Sequence, residues 1–211
     1  MEQQGFEIVA EADDGHEAAK LARTVAFDVA LLDVSMPRMN GMDCARALLA
    51  AAPDTRIVLL TMHTEEEQIA RSLRIGVRGY VCKSQTADEL SEAIREVFAG
   101  GTYLNPRAAA VLLSAYRTGA TVGDDPLTLR ERQVLQLVAE GSTTKEVAIT
   151  LGLTTKTAES YRARVMAKLD IHDTASLVRY ALRHGLTQLS LILIEAAFKY
   201  LGTGGPRYFT R

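Results

Sequence analysis

Three residues in the first half of the chain carry groups that suit phosphoryl transfer. Asp33, Thr61 and Lys83 each come directly after a short apolar run. A carboxylate can attack phosphorus as a nucleophile, an ammonium group can neutralise the incoming oxygens, and a hydroxyl group can hydrogen-bond to them. Each residue alone is common at the end of a strand, but the three together favour a covalent phosphoryl site at Asp33.

The apolar runs before these residues have the length and composition of strands, and helical patterns separate them. The predicted strands are residues 6–10, 28–32, 56–60 and 79–82, and the predicted helices are residues 16–24, 39–51, 65–74 and 86–99. This alternation predicts an α/β fold with a doubly wound parallel sheet, covered by helices on both faces. Ligands of such folds bind beyond the carboxyl ends of the strands, where the three polar residues would lie.

Composition excludes several classes of protein. The chain has 211 residues, a formal net charge of -2 and 47% hydrophobic residues, which is not the composition of a collagen-like, mucin-like or disordered chain. Its two cysteines form no CxxC pattern, so neither a disulfide framework nor a zinc site is expected. We find no secretion signal, and the longest apolar stretch is shorter than the roughly 20 residues of a membrane span. We therefore expect a cytoplasmic protein without membrane contact.

The distribution of charge indicates two domains. Residues 1–125 hold 12 Lys and Arg against 19 Asp and Glu, whereas residues 126–186 hold 9 against 6. A basic second half is typical of a domain that binds an anion such as nucleic acid. The domain boundary is expected between Gly100 and Asp125, where glycine and aspartate are frequent and Pro126 follows.

The second half has the pattern of a helix-turn-helix. Thr128 and Glu131 form a predicted capping box at the start of its first helix, and Gly141 follows that helix. A second helix is predicted over residues 143–151, and a glycine-containing turn leads to a third over residues 155–169. This order of a short helix, a tight turn and a longer basic helix is the arrangement of helix-turn-helix DNA-binding proteins.

The third helix has one apolar stripe and one face of small and polar residues when it is projected at 100° per residue. The stripe consists of Ala158, Val165 and Leu169. The opposite face consists of Lys156, Ser160, Ala163 and Ala167, flanked by Glu159 and Arg164. Small side chains would let this face enter a major groove, and Lys156, Arg164 and Lys168 could reach phosphates from its edges. An ordinary solvated face is the alternative, but residues 154–168 contain four basic residues against one acidic residue, which favours DNA binding.

Three segments of the first half resemble the receiver domain of bacterial two-component response regulators. They are residues 31–41 (LLDVSMPRMNG), 59–62 (LLTM) and 79–84 (GYVCKS). The resemblance implies that Asp33 accepts a phosphoryl group from a sensor histidine kinase and that Lys83 pairs with the phosphate. It also implies that Thr61 and Tyr80 reorient as a switch. Mg²⁺ would bind at Asp33 and at the backbone carbonyl of Ser35.

The chain departs from the receiver pattern at its beginning. A receiver normally opens with a further strand that ends in two adjacent acidic residues, which hold Mg²⁺ beside the phosphorylated aspartate. Asp13 and Asp14 follow what resembles the second strand of the family, so we expect them to form the solvated start of a helix near Gly15. We expect an N-terminally shortened receiver that lacks its first strand. Either the start of the sequence is mis-set, or metal-dependent phosphorylation has been lost.

Three segments of the second half resemble the LuxR-type helix-turn-helix of NarL/FixJ regulators. They are residues 127–135, 145–148 and 156–169. The resemblance implies base-edge contacts from Glu159, Ser160 and Ala163. It places a second group of side chains nearer the DNA backbone, namely Lys156, Thr157, Tyr161 and Arg164. Tyr161 stands where histidine is usual. The helix over residues 174–184 resembles the one through which such proteins dimerise.

Together these patterns predict a DNA-binding response regulator that is not an enzyme and that controls transcription after phosphorylation of Asp33. The expected domains are a receiver-like domain (1–104), a linker (105–125), a LuxR-type domain (126–186) and a C-terminal extension (187–211). We expect a homodimer on double-stranded DNA. One alternative is a phosphorylation-independent DNA-binding regulator with a degenerate receiver. A phosphatase that uses an aspartyl-phosphate fits less well, because such enzymes need a second acid where this chain has Ser35.

Overall fold

The computed structural model describes residues 6–62, 66–118 and 125–187. Their Cα positions divide into two compact units, whose main parts lie before and after residues 119–124. The first unit is α/β and the second is all-α. The predicted fold class is therefore confirmed.

The first unit is built on a parallel sheet. Its strands are β1 (Val29–Asp33), β2 (Arg56–Thr61), β3 (Gly79–Cys82) and β4 (Tyr103–Leu104), in that order across the sheet. Asp33 lies opposite Leu60, and Thr61 lies opposite Cys82. Strand β4 has two residues and was not predicted from the sequence. It joins β3 where the amide of Tyr103 donates to the carbonyl of Arg78 at 2.8 Å.

Helices of the first unit follow the strands much as predicted. They are α1 (Gly15–Leu21), α2 (Gly41–Ala51), α3 (Glu66–Ile75), α4 (Ala87–Phe98) and α5 (Pro106–Thr118). Asn40 caps α2 by accepting from the amide of Asp43, and Thr86 and Glu89 form a capping box at α4. Helix α5 falls in the segment expected as a linker and packs against α3.

Both faces of the sheet are covered. Val58 and Val81 pack against Ala93 and Val97 of α4, and all four side chains are buried. Because side chains alternate along a strand, the buried Leu59 points to the opposite face, where α2 contacts β1 and β2. The expectation of helices on both faces is confirmed.

The predicted strand over residues 6–10 is wrong. These residues have no regular secondary structure, and Ile8 and Val9 are about half exposed, at 51% and 48%. A strand needs a hydrogen-bonded neighbour, and within the described residues β1 pairs only with β2. The β-branched composition of the segment is compatible with a strand, but a strand forms only where a neighbouring strand can pair with it.

The second unit contains four helices among the described residues. They are α6 (Leu129–Ala139), α7 (Thr144–Thr150), α8 (Thr155–Leu169) and α9 (Thr174–Arg183). Capping boxes start α6 and α7, and the turn between α7 and α8 contains Gly152 at a φ of 63°. In this left-handed conformation a side chain would be strained, which explains the glycine.

A single apolar core joins the four helices of the second unit. Ala158 and Val165 of α8 are buried with Leu135 of α6 and with Leu177 and Ala181 of α9. The predicted apolar stripe of the third helix therefore faces the core. Across the described ranges, we find no helix long and apolar enough to cross a membrane. The predicted extension lies outside the described residues except for Thr187.

Candidate functional site

The three polar residues at the strand ends come together in the first unit. The strands are parallel and in register, so their carboxyl ends meet at one edge of the sheet. The Nζ atom of Lys83 lies 2.5 Å from Oδ2 of Asp33, and both side chains are about one-third exposed. The backbone amide of Lys83 donates to the carbonyl of Thr61 at 2.8 Å, and the Thr61 side chain is fully buried. The side chains of Asp33 and Lys83 thus meet at one site, and Thr61 is joined to Lys83 through its backbone.

Asp33 is held at both carboxylate oxygens. Oδ2 accepts from Lys83, and Oδ1 accepts from the backbone amide of Ser35 at 3.0 Å. The bond from Lys83 is charge-assisted, so it fixes the orientation of an ionised carboxylate more firmly than a neutral donor would. The same ammonium group stands where it can neutralise the oxygens of an incoming phosphoryl group.

The loop after Asp33 depends on the glycine at position 41. The amide of Gly41 donates to the carbonyl of Val34 at 3.1 Å. A Cβ atom at this position would lie 2.3 Å from the carbonyl oxygen of Asp33, which is closer than atoms can approach. The absence of a side chain therefore lets the start of α2 close over the backbone of Asp33.

Tyr80 and Thr61 lie on the same face of the sheet. Tyr80 stands opposite Leu59, two residues before Thr61 in β2, and its side chain is 1% exposed. Thr61 is also fully buried. A change of rotamer at either residue would need its neighbours to move, because interiors are close-packed.

The residues expected to hold Mg²⁺ do not form a site for it by themselves. Among the described residues, no group of three or more His, Cys, Asp or Glu side chains is placed to bind a metal ion. Mg²⁺ requires octahedral oxygen coordination and usually one or two carboxylates. Asp33, already paired with Lys83, and the carbonyl of Ser35 would supply too few oxygens.

Asp14 starts a helix, as predicted, but it is not solvated. It caps α1 by accepting from the amide of Glu17 at 2.8 Å, and it is 5% exposed. Together with Asp43 it contributes negative charge near Cys44. Burial, and then these two carboxylates, raise the pKa of the Cys44 thiol to about 12. Cys44 is thus an unreactive thiol in the folded protein.

Helix α8 presents most of the predicted DNA-contacting side chains to solvent. Thr157 and Tyr161 are partly buried at the edge of this surface. The exposed side chains are Lys156, Glu159, Ser160, Ala163, Arg164 and Lys168. The structure therefore gathers the predicted residues on one helix surface with small side chains at Ser160 and Ala163. A surface of this shape and charge suits a major groove.

Lys168 differs from the other predicted contacts because it binds within the second unit. Its Nζ atom lies 2.7 Å from Oε2 of Glu131 and donates to the carbonyl of Pro126 at 3.2 Å. Burial raises the pKa of Glu131, but the hydrogen bonds from Lys168 and Thr128 outweigh it, so the pKa lies below its usual range. Lys168 thus braces the capping box of α6, and its DNA contact stays a prediction.

Two arginines with structural roles were not recognised from the sequence. Arg130 donates to the carbonyl of Leu151 at 2.9 Å, which ties α6 to the end of α7. The nearly buried Arg132 donates to Asp125 and to the carbonyl of Leu127. Part of the positive charge of the second unit therefore stabilises the fold of that unit. The capping motif at Thr128 was the only sequence signal of polar contacts in this region.

Comparisons with known proteins match both units. Residues 1–95 match the response regulator receiver domain family, and residues 125–181 match the luxR family of bacterial regulatory proteins. The chain is 37% identical to the transcriptional regulatory protein MctR of Rhizobium johnstonii, over 86% of this chain and 83% of that one. It is 36% identical to the response regulator UvrY of Escherichia coli K12, over 86% and 84% of the two chains.

A solved structure is also similar over most of the chain. A structure of the Salmonella typhimurium response regulator RcsB, described in terms of its DNA interaction, has 25% identity and a TM-score of 0.50. It covers 85% of this chain and 88% of the other. These proteins are transcriptional regulators, so the expectation that the chain is not an enzyme is confirmed by its relatives. The chain belongs to the NarL/FixJ-type response regulators, the two-component DNA-binding proteins that join a receiver domain to a LuxR-type helix-turn-helix and control transcription.

Proposed function

We propose that Asp33 is the residue through which a sensor histidine kinase controls this regulator. The observation that carries the proposal is the 2.5 Å contact between Lys83 and Asp33 at the strand ends, beside Thr61. A carboxylate oxygen of Asp33 attacks the phosphorus of a phosphohistidine, the P–N bond breaks, and the imidazole leaves with a proton from solvent. Lys83 then moves its hydrogen bond from the carboxylate to the phosphoryl oxygens.

Receiver domains generally use Mg²⁺ for this transfer. Asp33 and the Ser35 carbonyl alone supply too few oxygen ligands to bind that ion. Lys83 supplies the positive charge, and Ser35 holds the nucleophile in position through its amide.

The proposed switch consists of the buried Thr61 and Tyr80. The Thr61 hydroxyl turns toward the phosphoryl oxygens once they arrive, and the space that it leaves is taken by the Tyr80 ring. Because both side chains are buried on one face of the sheet, one movement favours the other. Phosphorylation thereby shifts the receiver between two states.

The proposed output is the binding of double-stranded DNA by α8 in the cytoplasm. On the surface of α8, Lys156, Thr157, Tyr161 and Arg164 would lie along the DNA backbone, while Glu159, Ser160 and Ala163 would meet base edges. A homodimer that pairs through α9 would read two half-sites, and linked binding raises the affinity of the pair.

The DNA-binding role is tested by a salt titration of the full chain on a duplex of about 30 base pairs. The Lys156→Ala variant loses one phosphate contact, so the slope of log Kd against log salt should fall by about 1. Lys20→Ala removes an equal charge from α1 of the first unit and should leave the slope unchanged. Equal slopes for all three proteins would show that Lys156 does not contact a DNA phosphate.

A second candidate function is regulation of transcription without phosphorylation. It is favoured by one observation, namely that the described residues offer no three-ligand cluster for the ion that receivers use. The receiver would then act as an interaction module. The two functions differ in whether a phosphodonor changes the affinity for DNA.

A further inference from the structure

Helix α8 carries an arginine whose side chain is held in place before any DNA is bound. The guanidinium carbon of Arg164 lies 4.7 Å from the centroid of the Tyr161 ring. Its Nη2 atom also donates to Oγ of Ser160, one turn earlier, at 3.2 Å. An aromatic ring and a hydroxyl group therefore hold the exposed guanidinium group of Arg164 in place.

Tyr161 is a firm support because the core of the second unit anchors it. Its ring is partly buried and packs against the apolar cluster that joins the four helices of this unit. A guanidinium group stacks well on an aromatic face, since its positive charge meets the negative face of the ring. The arginine is thus attached to the rigid body of the domain rather than to a mobile neighbour.

The direction of Arg164 indicates which part of DNA it meets. Tyr161 lies between the outward face of α8 and the buried stripe, so an arginine that leans over its ring is drawn to the flank of the helix. The small Ala163 and Ala167 keep the centre of the outward face open for bases. The flank of a helix in the major groove stands next to the groove wall, where the phosphates run.

We propose that Tyr161 and Ser160 are positioning residues that hold the Arg164 guanidinium ready for a DNA phosphate. The inference rests on the proposed DNA contact of α8. It assigns Ser160, expected to contact a base, a part in the support of Arg164, because its Oγ accepts a hydrogen bond from the guanidinium. An arginine that is ordered in the free protein loses less side-chain entropy on binding, so the support raises affinity.

A double-mutant cycle on the full chain tests this coupling. Wild type, Tyr161→Leu, Arg164→Ala and the double variant are titrated onto a mixed-sequence duplex of about 30 base pairs at several salt concentrations. Tyr161→Leu keeps an apolar group at the core edge but loses the π face, and should weaken binding roughly 2–5-fold. The same substitution should have no effect once Arg164 is alanine, and Arg164→Ala should lower the salt slope by about 1.

Tyr161→Phe is the matched control, because it removes only the hydroxyl and keeps the ring under Arg164. The Arg164→Ala substitution should weaken DNA binding by the same factor in the Tyr161→Phe background as in the wild type, because the aromatic face under the guanidinium is kept. Weakening of Phe and Leu variants alike would mean that the hydroxyl itself contacts DNA, and equal losses in both Arg164 backgrounds would overturn the coupling. The unfolding midpoint of each variant shows whether the second unit stays folded. If Tyr161→Leu does not fold, the comparison uses Tyr161→Phe instead.

Ser160→Ala separates support from base reading. It should weaken binding by a similar factor on every duplex in a set of single base-pair substitutions. A changed preference at one base pair would make Ser160 a base-reading residue and would contradict the inference. Failure of the wild-type chain to bind any duplex would instead count against the proposed function, so the two failures are distinguishable.

Discussion

Substituting asparagine for Asp33 is expected to abolish phosphorylation of the chain. A carboxamide has nearly the same shape as the carboxylate and can still accept from the Ser35 amide, so the loop should stay in place. Its oxygen is no longer an anionic nucleophile, and no stable acyl phosphate can form. Incubation of the wild type with acetyl phosphate and Mg²⁺ should add about 80 Da per phosphoryl group to the intact mass, and Asp33→Asn should show no addition.

Asp28→Asn is the control for this substitution. Asp28 is exposed just before β1. Its substitution by asparagine therefore removes an equal charge away from Lys83. It should be phosphorylated to the same extent as wild type. A mass increase that survives Asp33→Asn would place the phosphoacceptor elsewhere.

Substituting alanine for Gly41 is expected to destabilise the first unit. The new Cβ would meet the carbonyl oxygen of Asp33 at 2.3 Å and its carbonyl carbon at 2.8 Å, and backbone atoms cannot move aside as a flexible side chain could. We expect a loss of about 3 kcal/mol in the free energy of unfolding, typical of severe overpacking. For a unit of this size the loss corresponds to a melting temperature lower by roughly 10–20 °C.

Gly100→Ala is the matched control for Gly41→Ala. Gly100 has a φ of +91° and open space around it, so alanine there adds only conformational strain of about 1–2 kcal/mol. Alkylation of Cys44 reports on the same unit, because the thiol is buried and its pKa is raised to about 12. Labelling of Cys44 should begin at lower temperature in Gly41→Ala than in Gly100→Ala. Equal melting temperatures for the two variants would show that the loop tolerates a side chain.

The sequence located the strand ends well because their signal is local. An apolar run followed by one polar residue marks the end of a buried strand, and the register of a parallel sheet then brings Asp33 and Lys83 together. Helix starts were predictable for the same reason, as the capping box at Thr128 and Glu131 shows. These features depend on residues close to one another in the chain.

Features that depend on distant partners were not predictable. Residues 6–10 have the composition of a strand, but pairing with a neighbouring strand is a property of the whole sheet. Lys168 looked like a phosphate contact because its partner Glu131 is 37 residues away. The support of Arg164 by Tyr161 is close in sequence, yet helix periodicity gives the faces of residues and not the rotamers that bring two side chains together.

The affinity of the full chain for DNA before and after phosphorylation shows whether Asp33 controls DNA binding. A library of random duplexes selected on the wild type supplies the probe, and Asp33→Asn is measured beside it with and without acetyl phosphate. Coupling between two sites commonly changes affinity 5–150-fold, so we expect the wild-type Kd to fall about 10-fold on phosphorylation. Asp33→Asn should not respond. Equal affinities for the phosphorylated and unphosphorylated wild type would contradict control through Asp33 and favour a regulator that acts without phosphorylation.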